Sequence, residues 1–299
     1  MNSRNDSRRP LPWLRMATMA GLLITLAASA VDATAQSPSS AAKLSPERIA
    51  EILASPDRSA ADRTNDIRRK PAQMLAFIGI MPGMVAVDLS SGGGYTTELI
   101  ARAVGPTGRA YGQSAPRDPA RAPTPPAAPE GAATPAAPAP SAPAATAPSA
   151  TPTTPMRLAE RAKNPAAGNI VAVVQKFEDP FPPAIASNGV DLVTLMFNYH
   201  DLGHMGVDRA QMNQAVFAAL KPGGMYVIAD HSGRPGTGIS ESGTLHRVEE
   251  AFLRKEVEAA GFKLVAEGDF MRNPSDPRDK NTPDPPQPKD EFVLKFVKP

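Results

Sequence analysis

Hydrophobic residues along this chain form short runs of strand length, and stretches with helical spacing lie between them. A short apolar run bounded by turn residues indicates a strand, whereas apolar positions at i, i+3 and i+4 indicate a helix. The runs predict strands over 84–89, 109–113, 170–174, 190–197, 225–230, 262–270 and 291–297. The helical stretches predict one helix that begins at Pro46 and others over 66–80, 95–104, 156–163, 208–220 and 242–260.

The order of these elements predicts the fold class. Strands and helices alternate along most of the chain, which is typical of an α/β protein with a parallel sheet. The run 190–197 is almost wholly apolar, as expected for a strand that is buried on both faces. The last two strands have no helix between them, so they must pair antiparallel, because a parallel crossover usually contains a helix. We therefore predict a mostly parallel sheet with helices on both faces and an antiparallel strand.

The first strand leads into the most informative segment of the chain. It carries the acid Asp88 near its end, and the glycines 92–94 then lead into a helix that starts near Tyr95. Glycine has no Cβ, so a ligand can approach its backbone closely, and the start of a helix offers free N–H groups. This segment predicts a site where backbone N–H groups and one carboxylate meet a small ligand.

A second motif makes the interpretation more specific. Residues 220–224 read Leu-Lys-Pro-Gly-Gly, and they separate a helix from a strand that ends in Asp230. Together with the glycine turn, this motif resembles the class I S-adenosylmethionine (SAM) dependent methyltransferases, over 71–113 and 169–299. More narrowly, four segments are similar to a group of exported bacterial proteins described as predicted methyltransferases. These segments are 198–202, 229–231, 245–247 and 270–274.

The resemblance implies a fold, a cofactor and a reaction. The fold is a Rossmann-like, mostly parallel sheet of seven strands in the order 3-2-1-4-5-7-6, with the last strand antiparallel and helices on both faces. The cofactor is SAM, and the reaction is methyl transfer. The resemblance also implies the cofactor-binding residues, which are Asp88, Ser90, Gly92, Gly94, Tyr95, Gln113, Phe177, Glu178 and Asn198.

Two of these residues depart from the family pattern. The family usually has glycine where Ser90 stands, and a serine there is unstrained only if its φ is negative. The family usually has an acid where Gln113 stands, and that acid accepts hydrogen bonds from both ribose hydroxyls. Glutamine can accept through its carbonyl oxygen without charge assistance, so we expect weaker binding. Gln113 as an ordinary strand end remains an alternative.

The remaining site residues follow the third and fourth strands. The resemblance implies that Phe177 packs on the adenine ring and that Glu178 or Asp179 accepts from its exocyclic amine, although a solvated turn is an alternative there. The carboxyl ends of parallel strands face the ligand crevice, so residues after 190–197 are candidates for catalysis. His200 is the predicted base and Tyr199 the second candidate, for an acceptor that must lose a proton.

The histidines offer a different interpretation. His200, His204 and His231 lie near the ends of the fourth and fifth predicted strands, close in sequence to Asp201 and Asp230. Imidazoles with carboxylates suit zinc or iron. No fixed signature such as His-Glu-x-x-His is present. The site prediction therefore contains no metal ligand, and a metal-dependent enzyme built on these histidines stays open as an alternative.

Composition divides the chain into segments. Residues 1–35 are predicted to be a signal peptide, because arginines precede a short uncharged apolar run that ends in small residues. Residues 36–83 are predicted to form a helical cap beside the domain 84–113 and 156–299. Residues 114–155 are almost wholly Ala, Pro, Thr and Ser, which predicts a disordered insert. The charged run 55–69 is either a solvated surface or a lid.

The net charge of the chain and its predicted location limit the classes of partner that are expected. Without residues 1–35 the chain has 28 basic and 28 acidic residues, so a nucleic-acid partner is not expected. We predict an exported, periplasmic protein with no stable membrane insertion after cleavage, or an N-terminal anchor if the signal is retained. The predicted function is methyl transfer from SAM to a small molecule. Because SAM is made inside the cell, a non-catalytic binding protein with this fold is the main alternative.

Overall fold

Seven strands form the sheet in the computed structural model, which describes residues 42–117, 152–281, 283 and 287–299. The strands are β1 (Val85–Leu89), β2 (Arg109–Ser114), β3 (Ile170–Val174), β4 (Val190–Met196), β5 (Leu220–His231), β6 (Lys263–Gly268) and β7 (Glu291–Val297). Their order in the sheet is β3-β2-β1-β4-β5-β7-β6. Strands β1 to β5 run parallel to one another, and β7 is antiparallel to both β5 and β6. The predicted fold class and strand order are confirmed.

Eight α-helices accompany these strands in the described ranges. They are α1 (Pro46–Ala54), α2 (Ala60–Arg69), α3 (Pro71–Ile78), α4 (Tyr95–Val104), α5 (Thr154–Arg161), α6 (Asp201–His204), α7 (Arg209–Ala219) and α8 (Glu250–Ala259). The side chain of Ser45 accepts a hydrogen bond from the Arg48 N–H, and this cap starts α1 at Pro46 as expected. None of the helices in the described residues is both long and apolar enough to cross a membrane.

The helix over 66–80 is expected to be interrupted, with Pro71 either as a kink or as a new start, and the structure has two helices that meet there. Lys70 has a φ of 45°, which ends α2, and Pro71 then occupies the first position of α3. Proline has no N–H and restricts the residue before it, so the break falls at this point. Helix α2 also begins six residues earlier than expected, at Ala60, because Ser59 caps it by accepting from the Asp62 N–H. Because most residues of α2 are polar or charged, the apolar periodicity of the sequence did not predict where this helix begins.

The predicted helix 242–260 is wrong in its first half, since α8 begins only at Glu250. Val248 forms a parallel bridge with Ser232, and its N–H donates to the carbonyl of His231 at 3.1 Å. His246 has a φ of 52°, which no residue inside a right-handed helix can adopt. Residues 242–249 therefore form a loop packed against the end of β5, and long-range pairing overrides their local helical periodicity.

Two apolar layers cover the two faces of the sheet. Alternate residues of β1 point to opposite sides, so Ala86 joins one layer and Val87 joins the other. Helices α1, α3, α4 and α5 pack on the first side, and α7 and α8 pack on the second. Helices therefore cover both faces, as predicted, and the loops at the carboxyl ends of β1 to β5 remain free to form a site.

Several predictions concern residues beyond this description. The signal peptide 1–35 lies outside the described residues, as does most of the predicted insert, 118–151. At the edges of the insert, Ser114 belongs to β2 and α5 begins at Thr154, whereas the described residues 115–117 and 152–153 belong to no helix or strand.

The charged run 55–69 is partly buried and bonds to other helices, so it is neither a wholly solvated surface nor a detached lid. Asp62 of α2 is 4% exposed and accepts two hydrogen bonds from Arg161 of α5, at 2.7 and 2.9 Å. Arg161 also contacts Glu98 of α4 and donates to the carbonyl oxygen of Gly93 at 2.7 Å. This cluster of buried charges ties three helices to the glycine turn.

Arg161→Met should lower the free energy of unfolding by about 3 kcal/mol, because the buried carboxylate of Asp62 would lose its ion-pair partner and Glu98 would keep only its contact with Arg102. Urea denaturation followed by circular dichroism measures the change. Arg157→Met is the matched control on the same helix, since Arg157 is not part of the cluster. Its effect should stay within roughly 0.5 kcal/mol. Equal effects of the two substitutions would show that the cluster does not hold the helices together.

Candidate active site

The turn after β1 alternates between left-handed and ordinary backbone conformations. Ser90, Gly92 and Gly94 have φ values of 54°, 53° and 79°. A Cβ added at Gly94 would lie 2.7 Å from a methyl carbon of Leu158, so glycine is also required there by packing. At Gly92 the nearest atom to an added Cβ is 3.8 Å away, and this residue is exposed. The turn thus leaves open space beside its backbone at Gly92.

Gln113 anchors this turn from the neighbouring strand. Its side-chain oxygen accepts from the N–H of Ser90 at 3.0 Å, and its side-chain nitrogen donates to the carbonyl of Gln175 at 2.7 Å. Its backbone carbonyl accepts from the N–H of Ser91 at 2.9 Å. Gln113 is fully buried. Both polar atoms of its side chain therefore bond within the protein, and a contact with ribose stays a prediction.

Asp88 lies behind the turn. The hydroxyl of Thr97 donates to one carboxylate oxygen at 2.6 Å, and the hydroxyl of Thr194 donates to the other at 2.8 Å. Burial raises the pKa of Asp88 to about 6, although the two hydroxyls favour the ionised form and partly offset the shift. Near neutral pH the site therefore contains a desolvated carboxylate, which a nearby cationic ligand would stabilise.

Tyr95 connects the start of α4 to α2. Its hydroxyl donates to Asp66 at 2.7 Å, and Arg58 donates to both oxygens of the same carboxylate at 2.7 Å. An apolar cleft beside Tyr95 is also lined by Met74 and Phe197. The N-terminal helices therefore close one side of the turn.

The predicted adenine contacts are divided between the core and a loop. Phe177 is 5% exposed and belongs to the apolar layer that contains Val87 and Leu89. Glu178 is half-buried and accepts from the N–H of Asp208 at 3.2 Å. The structure does not bring the Phe177 ring to the surface of the crevice, so its stacking on adenine stays a prediction that needs movement of the ring.

The end of β4 carries a second strained residue. Phe197 has a φ of 62°, an uncommon value for an aromatic residue, and the guanidinium of Arg69 lies 4.1 Å from the centre of its ring. The side chain of the next residue, Asn198, donates to the Met196 carbonyl at 2.9 Å. Strained backbone that persists at the mouth of a crevice is typical of functional sites.

Tyr199 is not available for catalysis in this structure. It is fully buried, its hydroxyl donates to Glu256 at 2.8 Å, and the same hydroxyl accepts from Asn213 at 3.0 Å. Burial, together with the charge of Glu256, raises the pKa of this hydroxyl well above its usual value. The polar end of Tyr199 therefore points to α7 and α8 rather than to the crevice, and its role is structural.

His200 lies between two carboxylates. Its Nδ1 is 2.6 Å from Asp230 and its Nε2 is 3.1 Å from Asp201. Burial alone would lower the pKa of His200, but the two carboxylates outweigh this effect and raise the pKa to about 10. A general base must be unprotonated at the working pH. Both ring nitrogens of His200 thus contact carboxylates, and the raised pKa disfavours the role of base near neutral pH, so that role stays a prediction.

Sequence reasoning missed some residues of the site. Thr194 pairs with Asp88 in the register of the sheet. It is the polar residue inside the apolar part of β4, and this pattern could have identified it from the sequence. Thr97 and Asp66 had no such signal, because their neighbours come from other elements. His246 was expected to open a helix, and the structure instead places its Nδ1 3.0 Å from Asp201.

Comparison with known proteins gives similarities to solved structures at low sequence identity. No protein-family model and no curated protein matches the chain. Among solved structures, it is similar to a SAM-dependent methyltransferase from Aquifex aeolicus (15% identity, 86% of this chain and 100% of that chain, TM-score 0.49). It is also similar to a geranyl diphosphate C-methyltransferase from Streptomyces coelicolor A3(2) (12% identity, covering 83% of this chain and 87% of that chain, TM-score 0.49). An arsenic(III) methyltransferase from Chlamydomonas reinhardtii matches with 14% identity, 85% and 73% coverage and a TM-score of 0.48. Because these identities and TM-scores are low, the conclusion about the fold rests on the observed strand order and not on these similarities.

Ser90→Gly should raise the free energy of unfolding by about 1 kcal/mol, because a left-handed φ costs a residue with a Cβ this much or more. Ser90→Ala is the control, since alanine keeps the Cβ and should show no gain. Chemical denaturation of the three proteins tests the expectation. A gain with alanine equal to that with glycine would show that the hydroxyl, and not the backbone strain, is responsible.

Asp88 should make stability depend on pH. Its pKa rises from a usual value of 3.8 to about 6 on folding, so the folded state holds the extra proton between these values. Stability should therefore fall as pH rises from about 4 to 6, by on the order of 2 kcal/mol, relative to the non-titrating variant Asp88→Asn. Denaturation of both proteins at pH 4.5 and pH 7.5 measures this difference. A difference that does not change with pH would contradict the shift.

Proposed function

We propose that this protein transfers a methyl group from SAM to a small-molecule acceptor. The observation that carries the proposal is the turn after β1, where three residues have left-handed backbone, Gly92 is exposed, and the carboxylate of Asp88 is buried behind them. The turn lies where the strand order reverses, between β1 and β4, and ligands of open α/β sheets bind outside the carboxyl ends of the strands at this point.

The chemistry of SAM fits the residues present. Its amino-acid head carries an ammonium group, and the charge of Asp88 behind the turn would favour a cation there. The exposed backbone of Gly92 would accept close approach of the head, and the start of α4 would provide N–H groups for its carboxylate. When bound, SAM supplies a methyl group on a positively charged sulfur, which leaves as a neutral thioether when the lone pair of the acceptor displaces it.

The protein contributes positioning more than proton transfer. The apolar cleft beside Tyr95 would exclude water from the reacting centre. Because both ring nitrogens of His200 contact carboxylates, we infer that the acceptor reacts without losing a proton to this histidine. The resemblance of the sequence motifs to methyltransferases supports the same assignment of the cofactor. The identity of the acceptor is the finer part of the proposal.

Calorimetric titration of the protein with SAM and with S-adenosylhomocysteine tests the proposal. Both ligands should bind at one site, and absence of binding at millimolar concentration would remove SAM as the cofactor. Binding without methyl transfer to any compound in a panel of small acceptors would instead favour the non-catalytic alternative.

Gly92→Ala should weaken binding of SAM at least about tenfold, because the added methyl group enters the open space beside the turn. Gly223→Ala is the matched control. Gly223 also has a positive φ, of 76°, and an added Cβ there meets nothing within 4 Å, near the start of β5 and away from the glycine turn. Both variants should lose stability to a similar extent, on the order of 1 kcal/mol. Equal affinities in the two variants would place the cofactor elsewhere.

A further inference from the structure

Three imidazoles converge on one carboxylate oxygen at the ends of β4 and β5. The Nε2 of His200 is 3.1 Å from the Oδ1 of Asp201, and the Nδ1 of His246 is 3.0 Å from the same oxygen. The Nδ1 of His204 lies 3.9 Å from it. Within the described ranges, His200, Asp201 and His246 form a group whose ligand atoms all lie within 4.8 Å of one another.

These separations match those of a metal site. Nitrogen and oxygen ligands lie about 2.0 Å from zinc, so two ligands of a tetrahedral ion are roughly 3.3 Å apart. The two short separations in the cluster are close to this value. Imidazole nitrogen with carboxylate oxygen suits zinc and similar transition metals, whereas Mg²⁺ and Ca²⁺ prefer oxygen ligands alone.

The surroundings of the cluster hold its ligands in place. The Nδ1 of His200 contacts Asp230, which is fully buried and also accepts from the backbone N–H of His200 at 2.8 Å. This leaves the Nε2 of His200 for the ion, and a carboxylate behind a ligating histidine is the usual partner in such sites. His246 reaches Asp201 only because its backbone has a φ of 52°, a strained conformation that the loop maintains.

The cluster is also accessible. The side chain of His200 is 4% exposed, but those of Asp201, His204 and His246 are 28%, 33% and 40% exposed. An ion can therefore enter from the solvent side and retain a position for a solvent or substrate oxygen, as catalytic zinc sites do.

We propose that His200, Asp201 and His246 bind one divalent transition-metal ion of the zinc type, with His204 within reach as a further ligand. This ligand set differs from the set considered for the sequence. His231 is not part of it, because its ring nitrogens do not belong to the group of ligand atoms within 4.8 Å of one another, and its Nδ1 lies 3.0 Å from Glu291. Asp230 supports His200 from behind and does not ligate. The proposal does not depend on SAM, because its ligands follow β4 and β5 whereas the glycine turn follows β1.

Metal binding by the full chain, purified without a histidine tag and dialysed against a chelator, tests the proposal. Titration with Zn²⁺ followed by elemental analysis should give one bound ion per chain, and Mg²⁺ should not bind or compete. Zn²⁺ should also raise the unfolding temperature, since a ligand that binds the folded state stabilises it. Failure to retain zinc, or equal competition by Mg²⁺, would overturn the assignment.

Single substitutions locate the ion. His246→Ala and Asp201→Asn should each weaken Zn²⁺ binding at least about tenfold, and both should abolish the rise in unfolding temperature. Asp269→Asn makes the same chemical change at an exposed acid outside the cluster and should bind Zn²⁺ like the wild type. The unfolding temperatures of the variants are also measured without metal. This comparison shows whether a variant has lost a metal ligand or has lost stability. If the two cluster variants bind Zn²⁺ as tightly as Asp269→Asn, the ion lies elsewhere. SAM titration of the same variants keeps the two proposals distinguishable.

Discussion

The site depends on the hydrogen bonds that Gln113 makes to the turn after β1. This turn contains three residues with left-handed backbone, of which Ser90 carries a Cβ and is strained. The side chain of Gln113 holds the N–H of Ser90, and its backbone holds Ser91. A strained turn persists only where the surrounding structure determines it, and Gln113 connects this turn to β2 and to the end of β3. The start of α4 and the space beside Gly92 follow from this connection.

Buried charges complete the frame around the turn. Arg161 joins Asp62 of α2 and Glu98 of α4, and it also bonds the backbone of the turn itself. Such a cluster contributes little net stability compared with apolar packing, but it is costly to break, so it specifies one arrangement of the helices. The run 55–69 is charged for this reason. Solvation explains the exposed charges of the run and does not explain Arg58 and Asp62, which are buried.

The pKa values on the two sides of the crevice are raised for different physical reasons. The pKa of Asp88 is raised because burial dominates, whereas the pKa of His200 is raised because two carboxylates dominate over burial. One edge of the sheet thus carries a carboxylate suited to a cation behind the glycine turn and an imidazole held between acids after β4. Because both ring nitrogens of His200 contact carboxylates, this histidine fits a place where an ion would displace its proton better than a proton-accepting role.

Sequence alone determined the elements whose signals are local. Apolar runs and turn residues located all seven strands, with β3 and β7 correct to the residue, and the absence of a helix before β7 determined its antiparallel pairing. Tertiary structure decided what lies far apart in the chain. Periodicity placed 242–249 in a helix, but pairing of Val248 with the end of β5 prevents it. Likewise, the partners of Gln113, Tyr199 and His246 come from other elements. The direction and charge of a side chain depend on these distant neighbours, and no spacing along the sequence records them.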